Sequence, residues 1–230
     1  MTLMKADITD NFLSFIKSFK RSCEKAKRNP NEIKIIGATK GQPLEAINKA
    51  ISLGMVNLGE NFLQEAERKV DEIKLPVTWH FIGSIQRKKT KKISALFEWV
   101  HSLDQITIAE NLDFHRQNDR SPLNVCVQIN IDNEQSKSGI KLQEAKGFIN
   151  ELKKYRNLKV RGLMAIPKPR KDVKEQEEIF SSIQNHFLYL KNFFPDLDTL
   201  SMGMSDDYEA AIKEGSTMIR IGTKIFGPRQ

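Results

Sequence analysis

The feature that most constrains this chain is an alternation. Short apolar runs that read as strands recur about eight times, and each is followed by a stretch with the three- and four-residue apolar spacing of a helix. Strand-like runs fall at residues 33–39, 55–58, 78–82, 97–101, 123–131, 160–164, 199–202 and 217–221. Helical spacing fills 43–53, 61–74, 86–95, 105–116, 142–155, 173–193 and 206–213, and an opening helix over about 6–28 precedes the first strand. Pro43 suits a first helical turn, Asn61 with Gln64 and Asp206 with Glu209 have capping-box spacing, and Gly215 is placed to end a helix. The expectation is an α/β fold: a single (β/α)8 TIM-type barrel with an additional N-terminal helix, one domain over residues 1–230. A doubly wound open sheet shares the alternation, but the strand count favours the barrel. No Gly-x-Gly-x-x-Gly follows the first strand to signal a dinucleotide-binding sheet.

Composition removes several classes of protein. The 230 residues suit one barrel of roughly 250 residues, and no Ser/Gly-rich linker divides them. Apolar residues make up 39% and charged residues 29%, as in an ordinary globular chain. No run is long enough to cross a bilayer, and Asp7 and Asp10 interrupt the opening stretch where a signal peptide would need an apolar core, so a cytoplasmic protein is expected. Cys23 and Cys126 lie far apart in helix-like and strand-like contexts; neither a disulfide nor a metal site is indicated, and neither is assigned catalysis. The net charge of +8 fits attraction to nucleic acid or to small anions. Its densest run, Arg87-Lys88-Lys89-Thr90-Lys91-Lys92, reads first as a solvated helix face and second as a site for a phosphate-rich partner.

In a barrel the chemistry belongs where strands end and the following loops begin. That places Lys40 after the first strand, Glu60 and Asn61 after the second, Gly83 after the third, residues 201–205 after the seventh, and Gly222 with Thr223 after the eighth. A lysine at a strand end is usually a solvated charge. To act as a nucleophile it needs burial or a neighbouring cation to populate its neutral form, and the small residues Gly37, Ala38 and Gly41 leave room beside Lys40 for a planar ligand. Ser201-Met202-Gly203-Met204-Ser205 and Gly222-Thr223 are either tight turns with a helix cap or a phosphate cradle of loop amides and hydroxyls. Asp206 and Asp207 would repel an anion at the helix they open, which favours the loop amides as the phosphate donors. Arg220 interrupts an apolar strand, as a structural ion pair or as a donor toward a ligand above the barrel core. His80 reads as a hydrogen-bonded core histidine, with no second ligand at metal spacing.

Several short motifs, taken together, resemble the pyridoxal phosphate homeostasis protein family. They are Ala38-Thr39-Lys40, Gly59-Glu60-Asn61, Trp79-His80-Phe81-Ile82-Gly83, Lys137-Ser138-Gly139 and Gly162-Leu163-Met164-Ala165. The most specific are Leu200-Ser201-Met202-Gly203-Met204-Ser205-Asp206-Asp207 and the run from Gly215 to Thr223, with Ile225-Phe226-Gly227 beyond. The match extends from about Ile35 to Arg229. That family is similar to the N-terminal barrel of alanine racemase without its second domain. The resemblance implies pyridoxal 5'-phosphate as cofactor, held as a Schiff base on Lys40. It also implies phosphate contacts from Ser201, Gly203, Gly222 and Thr223, a hydrogen bond from Arg220 toward the pyridine nitrogen, and Asn61 and His80 near the cofactor. The chain departs from the family at Thr39, where Ser is usual, at Gly41, where Thr or Asn is usual, and at Lys88, where Asn is usual.

The function so implied is cofactor homeostasis or delivery, with no catalytic residue assigned and little intrinsic turnover. An Arg opposite the pyridine nitrogen limits the ring as an electron sink. Racemisation also needs a second base, and Tyr155, Tyr189 and Tyr208 all fall in helix-like segments. The implied partners are the cofactor itself and cofactor-requiring apoenzymes, with neither membrane nor nucleic acid, and a monomer is expected. A racemase-like enzyme using the same cofactor and a basic nucleic-acid-binding protein are the alternatives.

Overall fold

The computed structural model describes residues 7–116, 120–135 and 137–228. Residues 1–6, including the expected start of the first helix, and Arg229 at the end of the resemblance lie outside that description. Eight parallel strands close into a barrel in chain order: β1 (Lys34–Ala38), β2 (Asn57–Glu60), β3 (Thr78–Phe81), β4 (Trp99–Leu103), β5 (Leu123–Ile129), β6 (Leu158–Ala165), β7 (Thr199–Ser201) and β8 (Met218–Ile221). Closure is made by β1 against β8, in register from Lys34 opposite Met218 to Gly37 opposite Ile221. A closed sheet excludes the doubly wound alternative.

The helices are α1 (Ile8–Lys25), α2 (Leu44–Ser52), α3 (Leu63–Glu72), α4 (Thr90–Leu96), α5 (Ile106–His115), α6 (Ala145–Leu152), α7 (Val173–Lys191), α8 (Tyr208–Lys213) and α9 (Thr223–Phe226). Period-two alternation sorts the strand side chains into two layers. On β3, Trp79 and Phe81 join the large apolar layer between sheet and helices, where Phe81 meets Phe97 edge-on at 5.2 Å. Between them His80 faces the barrel interior, stacked on Trp99 at 5.6 Å. Ile36, Trp99, Cys126, Met164 and Met218 pack that interior into a core rather than a pore. Both cysteines are buried and free. The opening helix buries Phe12, Phe15, Phe19 and Cys23, a single stripe. It packs on α8, with Phe15 against Tyr208 and Ser18 Oγ 2.9 Å from the Tyr208 hydroxyl.

Several expected boundaries shift. The second strand lies two residues later than expected, because Met55 serves as a buried plug beside Gly37 rather than as a strand residue. The fourth strand begins at Trp99, because Phe97 closes α4 through its amide to Ile93. Asn61 does not cap α3: Phe62 holds the cap position, without a side-chain hydrogen bond. Asp206 does not cap α8 either, since Asp207 holds that position and accepts from the amide of Met204 at 2.6 Å. Pro43 precedes α2 as its cap rather than entering its first turn. Single 3-10 turns at Pro30–Glu32, Arg87–Lys89 and Leu142–Glu144, and the short α9, add to the expected elements. Gly215 ends α8 as expected, with a left-handed φ of 86°.

Candidate functional site

The C-terminal rim of the barrel gathers the residues singled out in the sequence. Lys40 is half-buried on the turn that leaves β1. Asn61 follows β2 directly, and its Oδ1 is buried without a hydrogen-bond partner. The loop after β3 backs onto it so closely that a Cβ at Gly83 would lie 2.1 Å from the Asn61 carbonyl oxygen. Gly222 follows β8 and would bring a Cβ within 3.6 Å of Ala38, so the rim after β8 sits beside the strand end that leads to Lys40. Thr223 is exposed and opens α9, whose first amides have no partner within the helix.

Arg220 occupies the interior face of β8 and is only 4% exposed. Its Nη1 donates to the Ser201 carbonyl at 2.7 Å and to Ser201 Oγ at 2.6 Å, and its Nη2 donates to the Ala165 carbonyl at 2.9 Å. The guanidinium is thus fixed across the ends of β6 and β7. Burial lowers its pKa to about 10, with Asp207 opposing the shift, so it stays protonated at neutral pH. Its remaining donors have no hydrogen-bond partner among the described residues.

From Arg220 a chain of hydrogen bonds runs inward. Asn57 Oδ1 can only accept, so His80 Nε2 carries the proton of their 3.2 Å bond and His80 Nδ1 is left as an acceptor. His101 Nε2 then donates to His80 Nδ1 at 2.9 Å, which leaves His101 Nδ1 to accept the Ser201 hydroxyl at 2.8 Å. The Ser201 oxygen in turn accepts from Arg220. Every member is satisfied with both imidazoles neutral, in agreement with burial, which lowers His80 to about 3 and His101 well below its ordinary value.

This geometry separates the expected site residues. Lys40, Asn61, Gly222 and Thr223 stand at the rim, with the Arg220 guanidinium fixed at the strand ends beneath them. Gly203 has a left-handed φ of 96°, and a Cβ there would lie 2.6 Å from that of Ala211, so glycine is required by the packing of α8. Ser201 is fully buried and its hydroxyl is engaged with His101 and Arg220. His80 lies deeper still, behind His101. Sequence reading missed His101, whose signal was its alternation with Trp99 on one strand, and it did not separate Ser205 from its neighbours. Ser205 is 9% exposed in the β7–α8 loop and makes no hydrogen bond among the described residues. Among the described residues no three metal-ligating side chains gather, and no helix is long and apolar enough to cross a membrane.

Comparison with known proteins gives the same barrel. The family profile described as alanine racemase, N-terminal domain, matches residues 18–230. The pyridoxal phosphate homeostasis protein of Pseudomonas aeruginosa is 42% identical over 223 residues, 96% of each chain. That of Escherichia coli K12 is 41% identical over 227 residues, 97% of each chain. Among solved structures, PipY of Synechococcus elongatus, determined with PLP bound, superposes with a TM-score of 0.79 at 30% identity, covering 91% of this chain and 99% of that one. An alanine racemase from Corynebacterium glutamicum superposes with a TM-score of 0.71 over 96% of this chain and 61% of its own; at 13% identity it shows the fold alone.

Proposed function

The chain belongs to the pyridoxal phosphate homeostasis protein family, and from that premise we propose that it binds pyridoxal phosphate covalently through Lys40 and serves as a cytoplasmic carrier, a single barrel domain acting as a monomer that delivers the cofactor to apoenzymes. The observation that carries the reading is the set of polar groups at the barrel mouth. A half-buried amine, a buried amide oxygen without a partner and a fixed guanidinium with unpaired donors converge on one barrel mouth, beside loops rich in glycine and hydroxyls. These residues fit a planar aromatic aldehyde bearing a phosphate. When bound, such a cofactor supplies an aldehyde carbon that condenses with a primary amine, releasing its oxygen as water, and a ring that takes up negative charge.

Each residue then has a definite task. Lys40 would supply the amine, and Arg220, protonated at neutral pH, would direct a donor at the ring nitrogen and keep its proton. Asn61 would offer its unpartnered oxygen to a hydrogen-bond donor of the bound cofactor. The phosphate falls to the amides at Gly203, Gly222 and Thr223 and to the hydroxyls of Thr223 and Ser205, while Ser201 and His80 act through the orientation of Arg220. Turnover needs more than this. A second base across the ring is required for racemisation, and the three tyrosines are placed elsewhere: Tyr208 is buried against α1, Tyr189 lies on the outer helix α7, and Tyr155 packs on the core between α6 and the start of β6. The carrier reading therefore expects α-proton exchange on alanine or serine far below an ordinary turnover of roughly 10 per second.

The test is reduction of the loaded protein with borohydride, followed by peptide mapping. The phosphopyridoxyl group is expected on Lys40, and the Lys40→Ala variant is expected to be colourless. Recovery of the label on another lysine, with Lys40 unmodified, refutes the assignment; rapid deuterium exchange at the α-carbon refutes the carrier role.

A further inference from the structure

Lys69, on α3, is completely buried, and so is its partner Glu60 at the end of β2. Lys69 Nζ donates to Glu60 Oε1 at 2.5 Å, to Glu65 Oε2 at 3.2 Å and to the Thr39 carbonyl at 2.7 Å. Thr39 Oγ1 donates to the same Glu60 oxygen at 2.5 Å. Glu65 Oε2 accepts the amide of Gly41 at 2.8 Å. The two residues that flank Lys40 are therefore tied to one ammonium and two carboxylates, all from the β2–α3 segment. Gly41 turns the chain there with a left-handed φ of 68°.

Stability alone is a poor reason to keep such a group. Desolvating a buried ion pair offsets most of its attraction, and apolar side chains of similar volume would serve as well. Burial also raises the pKa of Glu60, whose second oxygen has no partner, so the arrangement carries an electrostatic burden. What the charges do provide is direction, because each hydrogen bond fixes one atom of the turn that presents Lys40.

We propose that Lys69, with Glu60 and Glu65, is a positioning group that fixes the backbone on both sides of Lys40 and so sets the approach of the Lys40 amine to its carbonyl ligand. The proposal rests on the reading of Lys40 as the reactive amine. Thr39 fits this task, since its hydroxyl is the group that reaches Glu60, and a serine would offer the same donor.

The experiment compares the full-length wild-type protein with Glu65→Ala, Glu65→Gln and Lys69→Met, each checked for folding by circular dichroism and melting. Glu65 is one-third exposed, so its variants keep the test open if Lys69→Met fails to fold. One arm, without cofactor, follows amide hydrogen exchange in the peptide covering residues 39–42. The other follows the rate at which pyridoxal phosphate labels Lys40, trapped with borohydride and mapped. Glu65→Ala and folded Lys69→Met are expected to exchange about tenfold faster in that peptide and to label Lys40 about tenfold more slowly, since a displaced reacting group loses rate steeply. Glu65→Gln, which keeps an acceptor for Gly41, is expected to stay within about twofold on both. Wild-type labelling in folded Glu65→Ala overturns the proposal, and faster exchange with unchanged labelling reduces the network to a structural clamp and overturns it equally. A wild-type protein labelled elsewhere than Lys40 refutes the Lys40 reading itself, which the cofactor-free exchange arm keeps distinct.

Discussion

At Ser201 residue type and strand-end position together did not disclose the partners of the side chain. A serine after β7 of a barrel suggests a phosphate ligand, yet its hydroxyl proton goes to His101 and its oxygen takes a proton from Arg220. The partner that decides this, His101, was illegible because the contact joins β4 to β7 across the interior, at a separation of 100 residues. The rim positions of Lys40, Asn61 and Gly222 were legible, since strand ends in a barrel face one rim whatever the tertiary detail, and the buried place of Arg220 was legible as a charge in an apolar strand. The directional chain makes a specific prediction. His101→Leu leaves the Ser201 hydroxyl proton without its acceptor and His80 Nδ1 without its donor, at about 1–3 kcal/mol each, so urea unfolding should show a loss of about 2–5 kcal/mol. The same variant releases the Ser201 hydroxyl and so loosens one of the three hydrogen bonds that hold Arg220, so the folded fraction should bind pyridoxal phosphate more weakly and with a shifted absorbance band. Unaltered affinity and spectrum in folded His101→Leu would show that the chain does not orient Arg220.

At the scale of elements, strand and helix order was readable because period-two and helical spacing survive in single segments. Boundaries were harder. Met55 and Phe97 look like strand residues because they are apolar, but they are apolar in order to plug the ends of neighbouring elements. The capping pattern at Asn61 and Gln64 misled for a related reason: the Asn61 backbone is pressed against Gly83 at the rim, and its side chain leaves α3 uncapped. Two glycines that look equivalent in the sequence differ in what they do. At Gly203 a Cβ would meet α8 at 2.6 Å on a left-handed backbone, so Gly203→Ala should lose about 2–4 kcal/mol, from overpacking and an unfavourable φ together. At Gly222 the nearest atoms are 3.6 Å away and φ is −113°, so Gly222→Ala should melt within a few degrees of wild type. On the proposed role of this loop in holding the phosphate, it should nevertheless bind pyridoxal phosphate about tenfold more weakly, with little change for pyridoxal, because the added methyl group would crowd a phosphate at the loop amides. Thermal melts and parallel titrations with both ligands check the pair. Equal destabilisation by the two substitutions would refute the distinction, and equal loss of both ligands would remove the phosphate from this loop.

The whole molecule inherits a pH dependence from the pair of imidazoles closed inside it. His80 titrates at about 3 in the folded protein and His101 well below its ordinary value, both chiefly through burial, whereas in the unfolded chain both recover the ordinary value of 6.5. Between those limits the unfolded state binds more protons, so stability rises with pH. The contribution is fully present above about pH 6.5 and is lost progressively as the pH falls below it. Each imidazole can supply up to about 1.4 kcal/mol per pH unit, so near pH 5.5 the two should give a slope of about 2–3 kcal/mol per unit. A net charge of +8, which grows as carboxylates protonate, adds self-repulsion in the same direction at lower pH. Glu60, which burial raises, acts with the opposite sign: the folded state holds its proton more tightly, so that group favours the fold more as the pH falls and cannot be the source of acid lability above pH 5. Urea unfolding of the cofactor-free protein from pH 7.5 to 5 separates these effects, because ordinary carboxylates with pKa near 4 contribute little over that span. The wild type should lose stability steadily below about pH 6.5, and His101→Leu, less stable at pH 7.5, should show a slope smaller by about one imidazole's share, with His80 and the partly buried His186, which burial also lowers, left to charge on unfolding. A variant slope equal to that of the wild type would mean that His101 is already protonated in the folded barrel, and the bond between His101 Nδ1 and the Ser201 hydroxyl would then run the other way, from the imidazolium to the serine oxygen.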